Sequence, residues 1–269
     1  MNWVTAVQRL RRERRPGVLV TVTEVRGHAP RDAGAKMVVS ASEVWGTIGG
    51  GNLEETALAR ARGLLDSPPG EPESMTIPLS DKARTEHGRQ CCGGEVTLLF
   101  ELLPVVPSVA IFGMGHVGLE LARILARHDL DLHLVDSRKS YVAPDRLACL
   151  DDGPAKVVAH HSPVPELALG EVPSGTHVLI LTHDHAEDFA LCDAALRTSH
   201  LGSIGLIGSA AKWRRFQQGL RVEGHPESVI ARIQSPIGTP EIPGKDPAVI
   251  ALSVAAQLLR TVRVGAASS

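Results

Sequence analysis

Several things are scarce in this sequence, and each absence narrows the reading. No apolar run approaches the ~20 residues that a membrane-spanning helix needs, so no such helix is expected. No excess of charge exists either: 28 Lys and Arg stand against 30 Asp and Glu, a formal net charge of -2. That balance offers no bulk attraction for nucleic acid. Cysteine is sparse, with four in 269 residues, at positions 91, 92, 149 and 192. A small secreted scaffold carries more, and no Cys-x-x-Cys pair is present to make a zinc site. The N-terminus is a polar helical pattern without an apolar secretory segment. Together these point to a reducing cytoplasm. No internal repeat is found.

What remains is an ordinary globular composition, 43% hydrophobic and 22% charged, on a chain long enough for two modest domains. The basic run Arg9–Pro16 falls beside Trp3, Val7 and Leu10 at helical spacing, which reads as a solvated helix face. Pro104 and Pro107 punctuate the chain where a strong α/β signal begins, and the expected division is 1–104 and 105–269. The first part mixes a helix from Trp3, a β-branched strand Val18–Val25, a hairpin turning near Ser42, a helix after Gly49–Gly51 and later strands. In the second part strands alternate with helices, which implies a parallel sheet with right-handed crossovers. The fold class expected is α/β: an N-terminal mixed α+β domain followed by a Rossmann-like parallel-sheet domain.

Gly113, Gly115 and Gly118 form G-x-G-x-x-G directly after a strand and at the start of a helix. In this motif the first glycine permits the tight turn, the second lets backbone approach a pyrophosphate, and the third lets helix pack on strand. Asp136 ends the next strand, where an acid can accept from a ribose hydroxyl, and Arg138 beside it could reach a phosphate. NAD or NADP is therefore one ligand reading, and packing alone is the other.

Gly49, Gly50 and Gly51 open another helix, and consecutive amides at the positive end of a helix suit a phosphate. Glu54 and Glu55 oppose an anion there, and Asn52 with Glu55 reads as a capping box. The stretch Gln90, Cys91, Cys92, Gly93, Gly94 follows a segment with Lys82, Arg84, His87 and Arg89. Nearby cations and bare amides favour a thiolate, so this is an electropositive thiol site or a pair of inert cysteines. Cys192, among apolar residues of a helix, reads as core. His183, His185 and Asp188 follow a parallel strand, where ligands bind in such sheets. A metallohydrolase reading is weaker than crevice lining or helix capping, because the His-x-His-x-Asp-His order is not met.

In this order and spacing the motifs GGGNLE (Gly49–Glu54), QCCGGEV (Gln90–Val96), IFGMGHVG (Ile111–Gly118), VDSR (Val135–Arg138), THDHAEDFALC (Thr182–Cys192) and GLIGSAAKWRRF (Gly205–Phe216) resemble the XdhC/CoxI family. So does the C-terminal SPIGTPEIPGKDPAVIALSVAAQLL (Ser235–Leu259), although many relatives have cysteine at the Ser235 position. These are the accessory proteins of molybdenum hydroxylases such as xanthine dehydrogenase. The resemblance implies a non-enzymatic carrier that binds the molybdenum cofactor (molybdopterin), protects it while an oxo ligand is exchanged for sulfur, and hands it to the apo-dehydrogenase. Its implied partners are a cysteine desulfurase and the dehydrogenase large subunit. Carried over, the cofactor residues are Gln90, Cys91, Cys92, Gly93 and Gly94, then Gly49, Gly50 and Gly51. Cys92 is the favoured molybdenum ligand, since a soft thiolate suits that metal. The rival is an NAD(P)-dependent oxidoreductase built on Gly113, Gly115, Gly118 and Asp136. The last helix, apolar nearly all round, makes a homodimer an expectation, with burial in its own domain as the alternative.

Overall fold

A computed structural model describes residues 2–66, 70–79 and 93–266, with side chains as far as residue 262. Two compact units result, one of residues up to Val105 and one of Val106–Val262.

The first unit holds α1 (Trp3–Glu13), β1 (Gly17–Arg26), β2 (Lys36–Val39), β3 (Val44–Gly46), α2 (Gly51–Leu65), β4 (Glu73–Pro78) and β5 (Glu95–Leu103). Its sheet is antiparallel, in the order β3-β2-β1-β5-β4. Strand alternation divides its residues between two helices. Val18, Val20 and Val22 join Leu98, Phe100 and α2's Leu53, Ala57 and Ala61 in one cluster. On the other face Leu19 and Val38 meet Trp45 and α1's Ala6 and Leu10. Asn2 caps α1 by accepting the Thr5 amide at 2.9 Å. The basic run is partly neutralised within the unit, Arg9 by Glu13 at 2.8 Å and Arg15 by Glu43 at 2.6 Å.

The second unit holds β6 (Ser108–Phe112), α3 (His116–Leu125), β7 (Asp131–Asp136), α4 (Pro144–Leu147), β8 (Lys156–His161), β9 (His177–Ile180), α5 (His185–Arg197), β10 (Ile204–Leu206), α6 (Ala210–Val222), α7 (Glu227–Ile230), β11 (Ile233–Gln234) and α8 (Pro247–Ala266). All six strands are parallel, in the order β11-β10-β9-β6-β7-β8. This is the doubly wound order, whose direction of winding reverses between β6 and β9. Helices cover both faces, so β6 is buried throughout. Val109, Ile111, Leu132 and Leu134 pack with α3 and α8. Ala110, Phe112, Val178 and Ile180 pack with α5 and α6.

Three local expectations change. The helix after the glycines begins at Gly51 with Gly50 as its cap, so Asn52 is buried inside the first turn and makes no capping box with Glu55. The stretch from His177 to Asp184 reads in sequence as one strand, but the strand ends at Ile180, because Thr182 turns its hydroxyl onto the Asp184 carbonyl (2.9 Å) and Asp184 caps α5. The apolar residues Ala251, Val254, Ala255 and Leu258 of α8 are covered inside their own unit, leaving Leu252 half exposed. Composition of α8 thus gives no separate reason for a homodimer. Among the described residues, no helix is long and apolar enough to cross a membrane.

Candidate functional site

The glycine turn between β6 and α3 has the geometry its spacing implies. Gly113 has φ +101°, and a Cβ there would meet the Leu181 carbonyl oxygen at 2.4 Å. A Cβ on Gly118 would meet the Gly113 oxygen at 2.0 Å, so helix and strand touch backbone to backbone. Gly115 caps α3 and has open space where its side chain would be. Two of the glycines serve the fold, and the middle one leaves the turn accessible.

Asp136 stands at the end of β7 as expected, but its oxygens are already engaged. Oδ2 accepts the Met114 amide at 2.7 Å, and Oδ1 accepts the Arg138 amide at 2.9 Å. The Arg138 guanidinium adds Nε to Oδ1 and Nη2 to Oδ2, both at 2.9 Å. Asp136 is only 2% exposed. Burial alone would push its carboxyl up, but the guanidinium and amide of Arg138 and the Met114 amide outweigh that and hold it below the ordinary aspartate range. Arg138, which by its place in the sequence could reach a phosphate, is the partner of this carboxylate. Its guanidinium lies 3.5 Å from the centre of the Tyr141 ring, and Arg146 lies 4.8 Å from the same ring. Arg146 also donates to the Met114 carbonyl at 3.0 Å. Both backbone groups of Met114, in the middle of the fingerprint, are thereby held by side chains.

At the carboxyl ends of β9 and β10 a second polar cluster forms. Asp188, 1% exposed, accepts the Thr182 hydroxyl at 2.7 Å and its amide at 3.1 Å, and pairs with Lys212. Lys212 also donates to the Ile207 carbonyl at 3.0 Å. Asp184 accepts the amides of Ala186 (2.6 Å) and Glu187 (3.1 Å), a helix cap that depresses its pKa. His183 and His185 are exposed, and His185 lies 3.2 Å from Arg215. The metal triad is not what the fold assembles, since Asp188 is committed to Lys212. Among the described residues no group of three or more His, Cys, Asp or Glu is placed to hold a metal. Sequence reading passed over Lys212, whose partner lies one helix away and leaves no local signal.

In the first unit, Gly49, Gly50 and Gly51 have φ of +131°, +74° and +62°. The carboxylate of Glu54 answers this loop, accepting the amides of Ile48 (3.2 Å) and Gly50 (3.1 Å). The Gly49 amide donates to the Thr47 hydroxyl at 3.1 Å. Part of the expected phosphate cradle is thus filled by the chain's own acid. Gly93 and Gly94 form a closed neck with Leu79: the Leu79 amide donates to the Gly94 carbonyl (2.7 Å) and the Gly93 amide to the Leu79 carbonyl (3.0 Å). Gly93 bridges to His28, and a Cβ on Gly94 would meet the His28 oxygen at 2.2 Å. A Cβ on Gly49 would meet Pro30 at 2.3 Å. One short segment, from Gly27 to Arg31, therefore touches both glycine elements. It carries exposed His28 and Arg31, which sequence reading did not single out. At the start of α2 the Asn52 Oδ1 is buried without a hydrogen-bond partner.

Gln90, Cys91 and Cys92 lie outside the described residues. Cys192 is fully buried, and burial pushes its thiol up to about 12. Cys149 is exposed.

Residues 109–258 match the family model described as the XdhC Rossmann domain, and residues 10–76 match that of the XdhC and CoxI family. Among curated proteins, the uncharacterized protein YqeB of Escherichia coli (strain K12) is 25% identical over 271 aligned positions. That alignment takes in 97% of this chain and 46% of YqeB, so the chain spans about half the length of this relative. A solved structure from Bacillus halodurans, described as a xanthine dehydrogenase, is 18% identical with a TM-score of 0.50, covering 98% of this chain and 96% of the other. That likeness is one of fold. The two family matches lie in order along the sequence, one on each unit, and the chain belongs to the XdhC and CoxI family.

Proposed function

We propose that this protein is a maturation factor for a xanthine dehydrogenase-type molybdenum hydroxylase, holding the molybdenum cofactor rather than turning over a substrate. The observation that carries the reading is the junction of both glycine elements on the Gly27–Arg31 segment, with Gly93 continuing directly from Cys92. The donor set suits a pterin that bears a phosphate. Arg31 and the start of α2 offer positive charge, His28 offers a ring nitrogen, and the orphaned Asn52 Oδ1 offers an acceptor for a ring N–H. Cys91 and Cys92 supply soft sulfur for molybdenum, with Cys92 the favoured ligand. When bound, the cofactor supplies the metal whose oxo ligand is exchanged for sulfur. The chain's residues bind and orient it and keep water from it. A cysteine desulfurase and the apo-dehydrogenase large subunit are the proposed partners, in the cytoplasm.

The engagement of Asp136 with Arg138 and Met114 weighs against the nicotinamide rival, because a ribose hydroxyl would have to displace an internal ion pair. The test is retention of molybdenum cofactor by the purified full chain. Wild type is expected to hold it near one to one, and Cys91→Ala/Cys92→Ala to release it. Equal retention by the double variant removes the thiol role. Saturable NAD or NADP binding with hydride transfer replaces the reading by its rival.

A further inference from the structure

Among the described residues Arg146 forms no ion pair. Its Nη2 donates to the Met114 carbonyl and its face stacks on Tyr141, yet among the described residues no carboxylate lies within ion-pair range, and its Nε is buried without a partner. A partly buried guanidinium is ordinarily matched by an anion. Arg146 lines a cleft of about 340 Å³, large enough for a small ligand.

The rest of the cleft wall adds a second cation and two acids. Arg123 stands on it, and the helices α3 and α8 both begin there, at His116 and just before Ala248. Of the two acids on the wall, one is neutralised by a guanidinium and the other keeps its charge. Glu120 binds Arg123 at 2.6 Å, and Asp246 accepts the Ala248 amide at 3.0 Å. The uncapped start of α3 and one guanidinium without an ion-pair partner thus line a single opening.

We propose that this cleft is a binding site for a phosphate group, free or as a monoester, with Arg146 as its principal ligand. The site belongs wholly to the second unit and is separate from the glycine elements assigned above to the cofactor. A free phosphate and the phosphate of a nucleotide present the same group, and the attached part distinguishes them.

The experiment is titration calorimetry on the full chain with inorganic phosphate, adenosine 5′-monophosphate and adenosine. Saturable binding of phosphate or the monophosphate with Kd below about 1 mM is expected. Equal affinity of the two identifies phosphate as the ligand, and tighter monophosphate binding places the attached group in the cleft. Arg146→Gln is expected to weaken binding about tenfold or more. Ala248→Glu is the second variant, since Ala248 is exposed and an acid in the first turn of a helix preserves folding. It too is expected to weaken binding about tenfold, with an unchanged or higher melting temperature. Absence of saturation by both phosphates overturns the proposal. So does adenosine binding as tightly as its monophosphate, or unchanged affinity in Ala248→Glu.

Discussion

At Gly49–Gly51 the carboxylate that answers the bare amides comes from Glu54, in the helix those glycines open. At Gly113–Gly118 it comes from Asp136, across the sheet at the end of the next strand. Glu54 is half-buried, acts within one turn and has no basic partner among its described contacts. Asp136 is buried and held by a bidentate guanidinium. Both turns look alike as glycine patterns, but the first is closed by a half-buried local acid without a cationic partner among its described contacts, and the second by an ion pair built into the core. A loop of the first kind can exchange its internal carboxylate for a ligand's phosphate at little cost, whereas the second must break a buried pair.

The largest test of this contrast is removal of each acid. Asp136→Ala is expected to lower the unfolding free energy by about 3 kcal/mol, because Arg138 is left uncompensated. Glu54→Ala is expected to cost about 1 kcal/mol, the scale of lost ordinary hydrogen bonds. Urea denaturation of both variants checks this, and equal losses break the comparison. Under the cofactor reading, Glu54→Gln also retains molybdenum cofactor at least as well as wild type, since a like charge has gone.

Next come the glycines. Gly118→Ala drives a Cβ into the Gly113 carbonyl and is expected to cost about 2 kcal/mol. Gly50→Ala meets open space but must hold φ 74° with ψ -176°, a region essentially confined to glycine, and is expected to cost about 1.5 kcal/mol. Melting temperatures should rank them accordingly.

Acid titration sharpens the contrast further. The folded-state pKa of Asp136 lies below its unfolded value, so its stabilising contribution is present above about pH 4 and is lost as pH falls through the folded pKa. The unfolding free energy of wild type should therefore fall faster on acidification below about pH 4 than that of Asp136→Ala. The smallest effect concerns thiols. Cys149 should react with iodoacetamide in the native protein at neutral pH, and Cys192, buried with its pKa near 12, should not. Peptide mapping after alkylation reads both.

The legible part of the molecule was the local part. The alternation of strands and helices after Pro107, the fingerprint at Gly113 and the opposition of Glu54 to its glycines all lie within one turn or one period. What escaped was either too short or too distant. β11 is two residues long and has no period of its own. The Asp188–Lys212 pair and the two contacts that hold Met114 join residues separated by whole elements. Arg138 and Asp136 are neighbours, but their sequence spacing does not say whether they point to a ligand or to each other.

The sequence by itself determined the class of each half, the places where glycine is obligatory, and the family, because those depend on patterns within a few residues. Tertiary structure alone decided which charges are answered internally and which are left over. Strand order brings Asp136 onto the Met114 amide and, among the described residues, leaves Arg146 without an ion-pair partner. That outcome depends on which elements the sheet sets side by side, a matter of packing that no local pattern encodes.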